Sequence, residues 1–179
     1  MFLGISVIWD RQFGFMKEIL VAPVSRASVF TGKMLGIGTN AMLQGFIVLV
    51  IGIALGMPLE LYTICLTISL MILITIGVVC IGLIIASSMT TLESFGTIVN
   101  FVNLPMFFLS GALFPVTDLP PWLKWAFYVN PFTYCVDALR SVMLSGWQPL
   151  LQIQYEILII CIFNVIVITI GMYMFRRMK

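Results

Sequence analysis

Chemistry has few residues to work with in this chain. Its 179 residues include nine lysines and arginines, seven aspartates and glutamates, and no histidine. Without imidazole there is no Ser-His-Asp triad, no Cys-His dyad and no histidine proton relay. The four cysteines, Cys65, Cys80, Cys135 and Cys161, form no CxxC pair. Three of them fall in apolar runs, where a thiol packs as a small side chain, so no metal or redox site is expected. Nucleotide binding fails on the same inspection. The nearest approach to a phosphate loop is Gly32-Lys33, but Ala27 and Met34 stand where GxxxxGK[ST] needs a glycine and a hydroxyl residue. ATP is therefore not expected on this chain. With no paired carboxylates inside an apolar run either, an intramembrane enzyme is disfavoured.

The polar residues that remain must be placed by apolar elements. The chain is 61% hydrophobic and 9% charged, with a mean hydropathy of +1.16. A soluble domain averages about 25% charged residues, so an ordinary cytosolic protein is excluded. Membrane spans show as charge-free gaps, because a charge at a helix centre costs about 2.5–3.5 kcal/mol on the insertion scale. Four gaps qualify: 26 residues between Lys33 and Glu60, 32 to Glu93, 24 to Asp118, and 19 between Glu156 and Arg176. A span needs about 20 residues, so the expectation is an all-α polytopic membrane protein with four transmembrane helices, at 32–57, 62–89, 95–114 and 155–175. The 15-residue gap from Ser141 to Tyr155 holds Gly146 and Pro149 and reads as interfacial.

Lysine and arginine set the orientation. Arg11, Lys17, Arg26 and Lys33 precede the first span, and Arg176, Arg177 and Lys179 follow the last; only Lys124 and Arg140 lie in outer connections. Seven against two places both termini in the cytoplasm of a multi-pass protein of the cell membrane. Met1 to Ile8 is apolar but too short to cross. It reads either as a floppy terminus or as the last two turns of a preceding span.

Residues 9–31 form a cytoplasmic segment that leads into the first span. Trp9, Phe13, Met16 and Leu20 share one helical stripe, with Asp10, Arg11, Lys17 and Glu18 on the other side. Pro23 should stop that helix at Ala22, and Ser25 can cap the next. The segment is either an interfacial anchor or a docking element exposing Arg11, Lys17 and Glu18 to a cytoplasmic partner.

Within the spans, Gly38, Gly45 and Gly52 recur at steps of seven and allow close helix approach, with packing inside the chain the commoner role over a dimer seam. The third span holds Asn100, Asn103 and Pro105, followed by Ser110. Pro105 removes a backbone donor, and two amides three residues apart either hydrogen-bond a neighbouring helix or line a translocation path. No ionisable group lies deep in a span, which argues against an ion-coupled pump. Residues 115–150 read as an outer interfacial hairpin. Asp118 and Pro120-Pro121 start one short helix, Asn130-Pro131 ends it and starts another, and Gly146 closes that. Trp122, Trp125, Tyr128, Tyr134 and Trp147 crowd it like an aromatic belt, and Asp137 and Arg140 are spaced to pair.

Three stretches resemble the permeases of type-2 ATP-binding-cassette (ABC) transporters. They are Trp9-Asp10-Arg11-Gln12-Phe13-Gly14 with Lys17 through Arg26, then Leu109-Ser110-Gly111-Ala112-Leu113-Phe114-Pro115, then Asn130-Pro131-Phe132-Thr133-Tyr134 with Val136-Asp137-Ala138-Leu139-Arg140. The resemblance covers essentially the whole chain and is nearest the daunorubicin-resistance and polysaccharide-export branch. It implies that Trp9, Asp10, Arg11, Phe13, Lys17, Glu18, Pro23 and Arg26 belong to a coupling helix that receives the stroke of an ATPase. It also implies that the hairpin, with Trp122, Tyr128, Pro131, Tyr134, Asp137 and Arg140, forms an outer gate in the outer leaflet.

By the same resemblance, ATP and magnesium sit on a separate ABC ATPase subunit, a second permease chain completes the transporter, and lipid rather than nucleic acid surrounds it. Family members have six spans, so the first two are expected to be missing here apart from the Met1–Ile8 stub. The expected function is that of a permease subunit exporting amphipathic drugs, lipid-linked molecules or glycans. The rival is a passive channel or membrane scaffold without an ATPase.

Overall fold

A computed structural model describes residues 4–13, 25–57, 59–113, 121–144 and 146–177. Seven helices occur among them: α1 (Ile5–Gln12), α2 (Arg26–Ala54), α3 (Leu61–Ser88), α4 (Leu92–Phe108), α5 (Pro121–Val129), α6 (Pro131–Met143) and α7 (Ile153–Arg177). No strand is found among the described residues. The protein is an all-α polytopic membrane protein, as the composition requires.

Local chemistry sets the helix ends. Ser25 caps α2, accepting from the Ser28 amide at 3.1 Å, and Thr91 caps α4 through the Ser94 amide at 3.3 Å. These caps satisfy donors that a first helical turn leaves without partners. Gly56, at φ 95°, takes the left-handed turn that ends the α2 segment. Between α5 and α6 Asn130 accepts from the Phe132 amide at 3.1 Å, and Pro131 occupies the first position of α6. There the missing proline N–H costs nothing.

Among the described residues three helices, α2, α3 and α7, are long and apolar enough to cross a membrane. The third expected span, 95–114, comes out differently. Its helix starts at Leu92 and stops at Phe108 after 17 residues, roughly 26 Å at the α-helical rise. Pro105 lies in its last turn and Gly111 follows at φ 77°, so the backbone turns away before Phe114.

The core forms where α2, α3 and α7 meet, with α3 against α7 the most extensive contact. Phe30, Val79, Leu83, Phe95, Val167 and Phe175 are buried there. A second cluster joins α6 to α3 and α7 through Leu70, Cys135, Ala138 and Ile160. Glycine permits the close approaches. A Cβ on Gly45 would lie 2.5 Å from Met71 Cε, and one on Gly38 would lie 3.8 Å from Thr75 Cγ2. The first two members of the seven-step glycine row therefore face α3 within the chain.

The first helix does not respect the division expected at Trp9. α1 runs unbroken from Ile5, joining the tail of the apolar stub to the start of the amphipathic segment. Val7 and Ile8 are fully buried with Gly4, on the face that packs against α3 and α4. The described residues 4–8 are thus packed into the bundle. Trp9 and Phe13 consequently point outward, exposed at 48% and 81%.

Candidate functional site

Polar contacts concentrate at two ends of the bundle. At the basic end, Lys33 of α2 forms an ion pair with Asp10 of α1, both side chains partly buried. Beside it, Arg26 donates from Nη1 to the carbonyl of Arg176, near the end of α7. A cation there meets carbonyls left without partners and the negative end of the helix dipole. Of the other residues expected in the coupling segment, Lys17, Glu18 and Pro23 lie outside the described residues, as does the Arg11 side chain.

The opposite end is organised around the last turn of α4, whose carbonyls also need donors. The hairpin helices supply them. Asn130 Nδ2 donates to Met106 O at 2.8 Å. Thr133 Oγ1 shares its proton between Leu109 O at 3.0 Å and Phe127 O at 2.8 Å. Arg140 forks across two carbonyls, Nη1 to Gly111 O at 2.9 Å and Nη2 to Ala112 O at 2.7 Å. Its guanidinium carbon also lies 5.0 Å from the centroid of the Trp147 ring. Arginine suits this role because its planar fork bonds and stacks at once.

Asp137 and Arg140 do not pair, contrary to their spacing. Asp137 instead accepts from Trp147 Nε1 at 2.8 Å and from the Leu150 amide at 2.6 Å. It thereby ties α6 to the segment leading into α7. The reason is burial: at 4% exposure its carboxylate needs several donors, and the chain after Gly146 brings them. Tyr134 donates to Tyr128 O at 2.8 Å, bracing the hairpin, and burial raises its phenol above the ordinary range. Tyr128 is exposed, and the side chain of Trp122 lies outside the described residues.

The residues expected along a path in α4 differ in burial. Asn100 is exposed, Asn103 is half-buried and Pro105 is exposed. Ser110 is buried, with Oγ donating to Phe107 O at 2.6 Å and accepting from the Ala112 amide at 3.3 Å. It shapes the turn that presents Gly111 and Ala112 to Arg140.

Sequence reasoning missed the polar seam between α3 and α7. Asn164, midway along α7, donates from Nδ2 to Leu73 O at 2.8 Å. Its Oδ1, Thr67 Oγ1 and both carboxyl oxygens of Glu156 are buried without a hydrogen-bond partner. Glu156 lies in the first turn of α7 beside Asp137 and is fully buried. An amide inside an apolar run was a readable signal for Asn164. Glu156 gave none, because a charge at the edge of an apolar gap reads as flank.

Among the described residues the polar contacts are an ion pair, caps and latches between helices.

A family model described as ABC-2 type transporter matches residues 1–144. The chain is 29% identical over 147 residues to a protein of Cyanophora paradoxa named putative transport permease ycf38, covering 80% of this chain and 51% of that one. It is 30% identical over 143 residues to the probable multidrug ABC transporter permease YbhR of Escherichia coli K12, covering 79% and 39%. It is 26% identical over 161 residues to nodulation protein J of Rhizobium meliloti, covering 90% and 60%. The chain thus spans about half the length of the curated relatives it matches. With that match over most of its length, on a bundle of apolar helices latched at both ends, the chain belongs to the ABC-2 type transporter family of permeases.

Proposed function

We propose that this chain is the membrane-spanning subunit of an exporter powered by ATP hydrolysed, with magnesium, on a separate ATPase. It works beside a second permease chain in the cell membrane, with both termini cytoplasmic. Family membership carries the reading, and the geometry at the basic end supports it. α1 anchors its apolar face in the bundle, presents Trp9 and Phe13 outward, and is tied to the base of α2 through Asp10 and Lys33. An outward aromatic pair on a firmly seated helix is a surface a cytoplasmic partner can push against. Nucleotide-driven closure of the ATPases presses on α1, tilts α2 and loosens the hairpin that Arg140 and Asp137 latch. The substrate class is amphipathic drugs, lipid-linked molecules or glycans, and the multidrug name of one relative favours the first.

The test is affinity copurification of the permease with the ATPase encoded beside it. Charge reversal at Arg11, Lys17 and Glu18 together should reduce the ATPase recovered. Undiminished recovery would mean that this segment is not the docking element. Conductance from the purified chain alone in planar bilayers would instead support the channel.

A further inference from the structure

The ion pair between Asp10 and Lys33 joins α1 to α2. α1 packs against α3 and α4, where its near end is held tightly: a Cβ on Gly4 would lie 3.0 Å from Gly82 O and 3.4 Å from Phe95 Cζ. A groove of about 710 Å³ runs between α1 and α2, lined by Ile5, Trp9, Lys33, Gly36, Ile37 and Asn40. Gly36 has no atom within 4 Å of its Cβ position, so no side chain fills the groove there. Asp10 and Lys33 bridge it with side chains that are only 26% and 18% exposed.

A charge pair partly withdrawn from water interacts more strongly than one at the surface, and holds its two ends at a fixed separation. Asp10 lies six residues beyond Gly4, roughly 9 Å along the helix axis. The arrangement is a lever: a pivot of close backbone contact at Gly4, a strut at Asp10, and an exposed end beyond it at Phe13.

We infer that the Asp10–Lys33 ion pair is the strut that passes motion of α1 into α2, swinging α2 across the open groove. The inference rests on the ATP-driven reading above and gives these two residues a positioning role within it. Asp10 acts through Lys33 rather than by touching the ATPase, so its loss uncouples the machine without releasing the partner.

The experiment uses the permease copurified with its ATPase in lipid nanodiscs. Spin labels are placed on Leu55→Cys and Leu151→Cys, both exposed positions away from α1, with the four native cysteines replaced. Pulsed dipolar spectroscopy then compares the label separation without nucleotide and after trapping with ATP and vanadate.

Trapping should shift the separation in the parent. The shift should be lost in Asp10→Asn and in Lys33→Met, each of which keeps the side-chain size. It should return in the exchanged pair Asp10→Lys with Lys33→Asp. ATPase copurification should be unchanged throughout. A full shift in either single variant overturns the strut, as does a parent that binds ATPase yet shows no shift. A parent that recovers no ATPase at all fails at an earlier point, and overturns the function together with the strut.

Discussion

Arg140 of α6 donates from Nη1 to the carbonyl of Gly111 at 2.9 Å, across 29 residues of chain. With the second bond to Ala112, it closes the end of α4 onto the hairpin. Hydrogen bonds from a charged donor contribute about 1.5–3 kcal/mol each. Arg140→Met should therefore lower the thermal unfolding midpoint in detergent clearly. Arg140→Lys should fall between the two, since an ammonium cannot fork across both carbonyls. Equal midpoints for the three proteins would show that the latch carries no load.

Asp137 holds Trp147 and Leu150, while its neighbour Glu156 has buried oxygens without donors. The two should respond oppositely. Asp137→Ala leaves two part-buried donors without their acceptor, a loss of about 1–3 kcal/mol in all. Glu156→Gln replaces a carboxyl by an amide that can donate to Asp137, and should leave stability unchanged or raise it. Denaturation by a graded detergent series would read both; destabilisation by Glu156→Gln of the same size as Asp137→Ala would contradict this.

The tight packing at Gly171 should be unforgiving. A Cβ there would lie 2.6 Å from Phe30 Cζ, and Phe30 is held edge-on against Phe175 at 5.3 Å. Gly171→Ala should cost about 1–3 kcal/mol as an overpacking change. Gly36→Ala, facing open space within α2, should be neutral or gain about 0.5–1 kcal/mol from helix propensity. Size-exclusion thermal melts of the pair would check this, and similar melts for the two variants would count against the packing described here.

Cys135, in the second core cluster, should be silent to thiol reagents. Burial pushes its thiol up to about 12, from an ordinary 9.0. A neutral thiol does not attack maleimide, so labelling of Cys135 should be absent at pH 8 and appear only on unfolding. The linkage has a definite sign. The unfolded chain loses this proton first, so Cys135 leaves stability untouched below pH 8 and reduces it from about pH 9 to 12. Labelling of folded Cys135 at pH 8, read by mass spectrometry, would refute its burial.

Much of this protein is decided locally. Apolar runs of 19 to 32 residues between charges are enough to imply helices, because in lipid each backbone donor must find an acceptor inside its own segment. The caps at Ser25 and Asn130 are equally local: each side chain bonds an amide two or three residues away. Hence the sequence alone determined the helical class, the helix break at Asn130-Pro131 and the start of α2.

What it left open were partners chosen across the fold. Spacing on one helix suggested that Asp137 would meet Arg140, but the two separate. Arg140 turns to Gly111 and Ala112, and Asp137 to Trp147 and Leu150. Glu156 reads as a solvated flank and is buried; Asp10 and Lys33, 23 residues apart, become a pair. A polar side chain in an apolar bundle takes whichever donor or acceptor the packing brings near. That choice belongs to the assembled helices, and so only the tertiary structure revealed the Asp10–Lys33 ion pair and the latches.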